Sequence, residues 1–231
     1  MRKAAAAFFS DPVTWRSHEP SRLETFSDAV FAFALTLIIV SLEVPKSFTE
    51  LYETMKGVGS FAICFAILFL VWNTQNKFFR RYNLQSGYIT FLNACLLFVV
   101  LMYAYPLKFL FYLLFSSDQH QQVIEERDVS KLMVIYGIGF TTIYTLFYLM
   151  YRQALARNAE LRMTSLELHV TKTVAGIQLI NVGIGLVAIC LALVLPQGLA
   201  GFSGWTYMTI PVALSVWRAM MKRRRKKLPS T

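Results

Sequence analysis

The chain has 231 residues, of which 56% are hydrophobic and only 16% charged, and it carries a net charge of +10. Globular domains usually hold about 25% charged residues, so this deficit, with a mean hydropathy of +0.48, excludes a soluble globular domain and indicates an integral membrane protein. The 19 Phe and 11 Tyr suit lipid-facing and interfacial surface.

The chain opens Met-Arg-Lys and then Ala4 to Phe9, six apolar residues ended by Ser-Asp-Pro. A signal peptide needs an apolar core of roughly 7–15 residues, so no targeting peptide is expected. The next stretch runs from Arg22 to Val40 and places an Arg and an Asp against an apolar helix. Only 14 uncharged residues separate Asp28 from Glu43, whereas a spanning helix needs about 20. If this helix spans, Phe26-Ser27-Asp28 lies at membrane depth, buried against protein. An intramembrane carboxylate is costly and is by default a functional residue.

Five further apolar runs follow: Gly57 to Asn76 with Trp72, Ser86 to Phe115 with Pro106 and Lys108, Leu132 to Tyr151, Thr173 to Leu195, and Leu199 to Trp217. The last two are separated by Pro196-Gln-Gly198, a turn that predicts a helical hairpin. Six spans result. One side of the bilayer then collects Arg2, Lys3, Arg16 and Arg22, the Lys77–Arg81 cluster, the bases from Arg152 to Lys172, and Arg218 with Lys222 to Lys227, which is 18 of the 23 basic residues. The positive-inside rule puts both termini in the cytoplasm. The run Lys222 to Lys227 follows a span directly, so it reads as a contact with anionic lipid headgroups and not with nucleic acid. Glu125-Glu-Arg-Asp128 reads as a solvated loop on the other side. Cys64, Cys95 and Cys190 lie in apolar runs without C-x-x-C spacing, which suggests small core residues and neither a disulfide framework nor a zinc site.

On the first helix, at about 100° per residue, Ala29, Phe33, Thr36 and Val40 fall within about 60° of one another, with Leu37 on the flank. Asp28 points about 100° away from Ala29, and Ser27 about 160° away. One face is thus a small and apolar stripe suited to symmetry mates; the other carries a polar pair towards neighbouring helices. Arg22 and Asp28, six residues apart, do not face each other, so their partners come from elsewhere. Trp72, Gln75, Asn76 and Asn93 are the available intramembrane donors.

Arg22-xxx-Phe26-Ser27-Asp28, continued by Ala-Val-Phe-Ala-x-Ala-x-Thr-Leu and Leu42-Glu-Val-Pro45, resembles the signature of the transmembrane protein 175 family, the bacterial relatives of the lysosomal potassium channel. Trp72 in the second span and Leu92-Asn93 in the third extend the similarity. The resemblance implies an all-α integral membrane protein with six transmembrane helices, one repeat per chain, and fourfold assembly around a pore lined by the first helix. It implies a homotetrameric potassium channel of the plasma membrane, with no cofactor and no metal beyond potassium passing through the pore. The expected divisions are a cytoplasmic segment 1–21, a channel domain 22–217 and a basic tail 218–231. The family's constriction falls here on Phe33, Leu37 and Val40, with Thr36 as a polar ring; Arg22, Phe26, Ser27, Asp28, Trp72 and Asn93 form the motif and packing network. Phe33 departs from the usual Ile or Leu: four phenyl rings either block the axis or tilt and leave Thr36 or Leu37 narrowest. Gln75-Asn76 stands where the family usually has a His, so that part of the network is expected to be rewired.

Other readings make different demands. The nearest string to a Thr-Val-Gly-Tyr-Gly filter is Thr173-Val-Ala-Gly-Ile177, which lacks both glycine positions. No span carries the Arg series of a voltage sensor. An enzyme needs a nucleophile with a base at membrane depth, and His18, His120 and His169 lie near loops or span ends. The alternative to a channel is a secondary transporter, or a proton-permeable pathway of the same six-helix fold; Gly176, Gly183, Gly185 and Pro211 are its weak pointers.

Overall fold

The computed structural model describes residues 15–16, 19–40, 46–56, 58–115 and 126–225. Most of the segment 1–21, the motif's Leu42 to Pro45, His18, His120, Glu125 and the last residues of the basic tail lie outside the described residues, as do the side chains of Val40 and Lys108. Among the described residues the fold is all helical: α1 Arg22–Val40, α2 Phe48–Lys56, α3 Val58–Tyr82, α4 Gly87–Phe115, α5 Glu126–Ala156, α6 Ser165–Val194, a 3-10 helix Gln197–Thr209, and α7 Ile210–Arg225. By length and composition, Phe61–Tyr82, Gly87–Leu107, Asp128–Ala156 and Ser165–Val194 can each cross a membrane. These four make the chain a multi-pass membrane protein; α1, with 19 residues, is not among them.

The helices form two neighbouring groups. α1 packs against α3 and α4 and against no other described element, while α5 and α6 pack on each other and on the 3-10 helix, and α4 joins α5. The core between the groups holds Phe78, Phe79, Leu96, Val100, Phe147 and Met150, all buried. Pro106 sits inside α4 and frees a carbonyl from the helical ladder. Beside it Tyr136 Oη donates to the Pro106 carbonyl at 2.6 Å, and Tyr103 Oη donates back to the Tyr136 carbonyl at 3.1 Å. The two phenols thus stitch α4 to α5.

Two helix starts are explained by reciprocal caps. Ser21 and Glu24 exchange bonds at the start of α1, the Ser21 amide donating to Glu24 Oε2 at 2.7 Å and the Glu24 amide to Ser21 Oγ at 3.3 Å. Thr164 and Glu167 do the same for α6. Both are S/T-x-x-E boxes that satisfy otherwise orphaned amides.

Three expectations need correction. The sixth span is not one α-helix from Leu199: Gln197–Thr209 is 3-10, and the α-helix starts at Ile210 and runs beyond Trp217 into the basic tail as far as Arg225. Such a long 3-10 run is uncommon, and its cause is a strict period of three. Gly198, Gly201 and Gly204 form one column, Leu199, Phe202, Trp205 and Met208 a second, and Ala200, Ser203, Thr206 and Thr209 a third. At three residues per turn each column is one face. The bulky column is exposed and the third column is buried at Ala200 and Ser203, while Gly201 and Gly204 approach Val129 and Met133 of α5. Each hydroxyl of the third column donates to the carbonyl three residues back: Ser203 to Ala200 at 2.7 Å, Thr206 to Ser203 at 2.6 Å and Thr209 to Thr206 at 2.6 Å. Secondly, Glu126 to Asp128 form the first turn of α5 and not a loop. Thirdly, Cys64 is buried as expected, but Cys190 is exposed on α6.

Gly176 acts in packing. A Cβ there would run into the Trp217 indole, whose Nε1 donates to the Thr173 carbonyl at 3.0 Å. Gly176→Ala must push the indole off that carbonyl and separate α6 from α7. Overpacking of this kind costs about 1–3 kcal/mol, read as a lowered melting temperature in detergent. Gly183, with open space around it, is the control, and Gly183→Ala should melt like the wild type.

Candidate functional site: the first helix and its polar anchor

The buried face of α1 is formed by Glu24, Ser27, Phe31, Ala34 and Ile38, a spacing of three and four residues that keeps one face inward. Ser27 is 0% exposed. Its hydroxyl donates to the Leu23 carbonyl at 2.7 Å, so its lone pairs remain to accept. Asn93 Nδ2 of α4 donates to them at 2.9 Å, and Asn93 Oδ1 accepts from Gln75 Nε2 of α3 at 3.0 Å. The result is a hydrogen-bonded chain that runs from Gln75 to Asn93 to Ser27 to the α1 backbone. Next to it Trp72 Nε1 donates to Asp28 Oδ1 at 2.7 Å. An indole N–H to a carboxylate is a charge-assisted bond, and Trp72 is itself steadied by the Phe69 ring, with centroids 5.3 Å apart.

The structure therefore brings together Ser27, Asp28, Trp72 and Asn93, and adds Gln75 to them. Asn76 takes no part, being one position round the helix from Gln75. Arg22 and Phe26 stand apart: Arg22 is exposed, with no ion pair among the described residues, and Phe26 is 61% exposed. Neither packs into the network of its own chain.

Pinning Ser27 to α4 and Asp28 to α3 fixes the rotation of α1 about its axis. Ala29, Phe33, Thr36 and Leu37 then face away from the chain's own core; all four are exposed, Phe33 by 57%. Phe26 and Ala32 continue the same exposed face. Thr36 Oγ1 donates to the Ala32 carbonyl at 2.8 Å, which leaves the hydroxyl's acceptor side open. Val40 lies one turn beyond Thr36 on this face by helical spacing.

At the end of the bundle where α1 begins, Arg16 ties three elements together. Its amide donates to the Arg80 carbonyl at 3.1 Å, its guanidinium donates to the Leu161 carbonyl and pairs with Glu167 at 3.2 Å. Trp15 lies under the Arg80 guanidinium, 3.7 Å from ring centroid to Cζ. The residues leading into α1 are thus anchored to the end of α3 and the start of α6. Tyr82 and Thr171 meet nearby at 2.8 Å; the Thr171 hydroxyl donates to the Glu167 carbonyl, so Tyr82 is the donor between them. The sequence reading missed this clasp, for which a lone Arg in a polar segment gives no signal.

The described helices form a multi-pass membrane bundle whose first helix is pinned on one face and exposed on the other, and the comparisons with known proteins identify the family. The family model described as endosomal/lysosomal potassium channel TMEM175 matches residues 22–106. A protein of Marivirga tractuosa called "Potassium channel" is 35% identical, over 93% of each chain. The crystal structure of the potassium channel MtTMEM175, in complex with a nanobody–MBP fusion, superposes with a TM-score of 0.81 at 31% identity, covering 93% of this chain and 99% of that one. A homolog from Chamaesiphon minutus of the lysosomal potassium-selective channel TMEM175 shares the fold with a TM-score of 0.57 at 19% identity, over 87% and 96% of the two chains. The chain belongs to the TMEM175 family, which is a family of ion channels and not of enzymes.

Proposed function

We propose that this protein is a potassium-preferring cation channel in which four copies surround an axis lined by α1. The observation that carries the reading is the exposed stripe of α1: the polar anchor holds Phe33, Thr36 and Leu37 outward, on a helix whose opposite face is buried. Small residues on this stripe, Ala29 and Ala32, suit close helix approach, and a single such helix cannot enclose a pore, so a closed ring of copies is needed. The names borne by the similar proteins agree with potassium as the ion.

In this reading Phe33, Leu37 and Val40 form the constriction and Thr36 a polar ring between them. Phe26 and Arg22, which find no place in their own chain's network, lie where a neighbouring copy packs. Residues 22–217 form the channel domain, with 1–21 and 218–231 as cytoplasmic segments, in the plasma membrane. The gathering of Arg16, Arg80, Arg157 and Glu167 at one end of the bundle, where α7 also ends, supports both termini on the cytoplasmic side under the positive-inside rule. Exposed Lys222 to Arg225 on the last turns of α7 suit anionic lipid headgroups, each base contributing about 1 kcal/mol near such a surface.

The test is mass measurement of the protein in mild detergent, followed by ion flux into vesicles. A tetramer that passes potassium faster than sodium, with unitary currents whose reversal follows the ion gradients, is the expected result. A monomer, an axis lined by another helix, or solute-coupled flux without unitary currents would overturn the proposal.

A further inference from the structure

A second polar site lies in the half of the subunit that α1 does not touch. The buried face of α6 runs through Thr171, Ala175, Gln178, Asn181, Gly185, Ala188 and Ala192. It faces α5: Ser130 Oγ donates to the Ala192 carbonyl at 2.5 Å, and a Cβ on Gly185 would run into Thr141 Oγ1 and meet Phe140 Cδ1 at 3.0 Å. Phe140 in turn stacks edge-on against Tyr207 of the 3-10 helix, with ring centroids 4.8 Å apart. Gln178 is 4% and Asn181 3% exposed. Four side-chain oxygens in this seam are buried and find no hydrogen-bond partner among the described residues: Thr141 Oγ1, Gln178 Oε1, Asn181 Oδ1 and Tyr207 Oη. They come from three different elements, and together they are all of the unpartnered buried polar side-chain atoms among the described residues.

We propose that this seam binds a short file of water molecules. Within a membrane, a polar group left without a partner is strongly unfavourable, and four in one seam do not arise by oversight of one residue. The guest must donate hydrogen bonds, because the amide oxygens of Gln178 and Asn181 only accept. It must also be neutral, because α5 after Asp128 and α6 after Glu167 carry no carboxylate, and a buried cation without a counter-charge costs far more than a buried water. Water meets both conditions and typically makes about three bonds at such sites. From Gln178 to Gly185 the seam extends about 10 Å along α6, longer than one molecule. The file ends beside Tyr207, one turn before the 3-10 helix gives way to α7 at Ile210. It is separate from the α1 stripe and does not rest on that stripe's role.

The experiment is X-ray hydroxyl-radical footprinting of the intact protein in lipid nanodiscs, in which bound water is activated in place and oxidises the side chains it touches. Tyr207 should be oxidised at least about fivefold faster than Phe147, which is fully buried among apolar groups. Thr141→Val with Asn181→Leu should bring Tyr207 down to the Phe147 rate and leave the outward Trp205 unchanged. Should that pair fail to fold, Thr141→Val alone should lower the Tyr207 rate at least about twofold by removing one of the partners a bound water uses. Oxidation of Tyr207 no faster than Phe147, or a rate unmoved by the variants in folded protein, overturns the site.

Discussion

Trp72→Phe is expected to destabilise the subunit by about 2–4 kcal/mol, because it leaves the Asp28 carboxylate, set between helices, without its donor. Phenylalanine keeps the contact with Phe69 but removes the one indole N–H that donates to Asp28. The loss of the bond itself is the smaller part, since hydrogen bonds between membrane helices average about 0.6 kcal/mol. The unpaired charge is the larger part. Asp28→Asn should therefore be mild, as an amide oxygen still accepts from Trp72 and carries no charge. Trp72→Phe combined with Asp28→Leu should recover most of the loss, because removing both polar partners leaves nothing stranded. Thermal melting of the three variants in the same detergent decides the matter. If Trp72→Phe melts with the wild type, or the double variant is the worst of the three, the anchor does not hold α1 in the way its geometry indicates. Ion preference should change only after assembly is lost, since Asp28 faces the other helices and not the outward stripe.

Phe33→Ala is expected to raise ion flux severalfold, and Leu37→Ala to raise it while weakening the preference for potassium. Phe33, Leu37 and Val40 follow one another at four and three residues, so around an axis they form rings about 5–6 Å apart. Apolar rings offer an ion no oxygen, and such a neck discriminates by width and by the cost of shedding water, and closes by dewetting. Potassium holds its water less tightly than sodium, so the proposed neck would favour potassium, though less sharply than a carbonyl filter. Phe33 is the bulkiest of the three, and its removal opens the most space. Leu37 is adjacent to Thr36, the polar position of the stripe, so in the proposed pore its loss would widen the place where a partly hydrated ion passes. The measurement is potassium and sodium flux into vesicles loaded with tetrameric variants. Wild-type flux and selectivity in both variants would mean that α1 does not form the gate.

The amino-acid sequence by itself determined what depends on local composition. Long uncharged runs located α3, α4, α5 and α6, because the preference for lipid over water is a sum over neighbouring side chains, but α3 continues to Tyr82, α5 begins at Glu126 and α6 at Ser165, since charged and polar turns extend these helices past their apolar stretches. The Arg22-xxx-Phe-Ser-Asp string located the first helix and the family, and helical geometry separated its Ala29–Phe33–Thr36 stripe from its Ser27–Asp28 pair. The period of three from Gly198 to Thr209 was equally local and predicts three residues per turn, but hydrophobicity masks it, since every third position is large and apolar.

Only the tertiary structure decided which donors meet which acceptors. Trp72 and Gln75 both lie on the second span, yet Trp72 reaches Asp28 across 44 positions and Gln75 reaches Ser27 only through Asn93, itself 66 positions away. Such pairings depend on the rotation and depth of three helices at once, which no single helix encodes. The same holds for Phe26 and Arg22, left outward once Ser27 and Asp28 are pinned, and for Gln178 and Asn181. In the sequence these two are ordinary amides in an apolar run; the packing of α5 and the 3-10 helix against α6 is what buries their oxygens out of reach of every donor among the described residues.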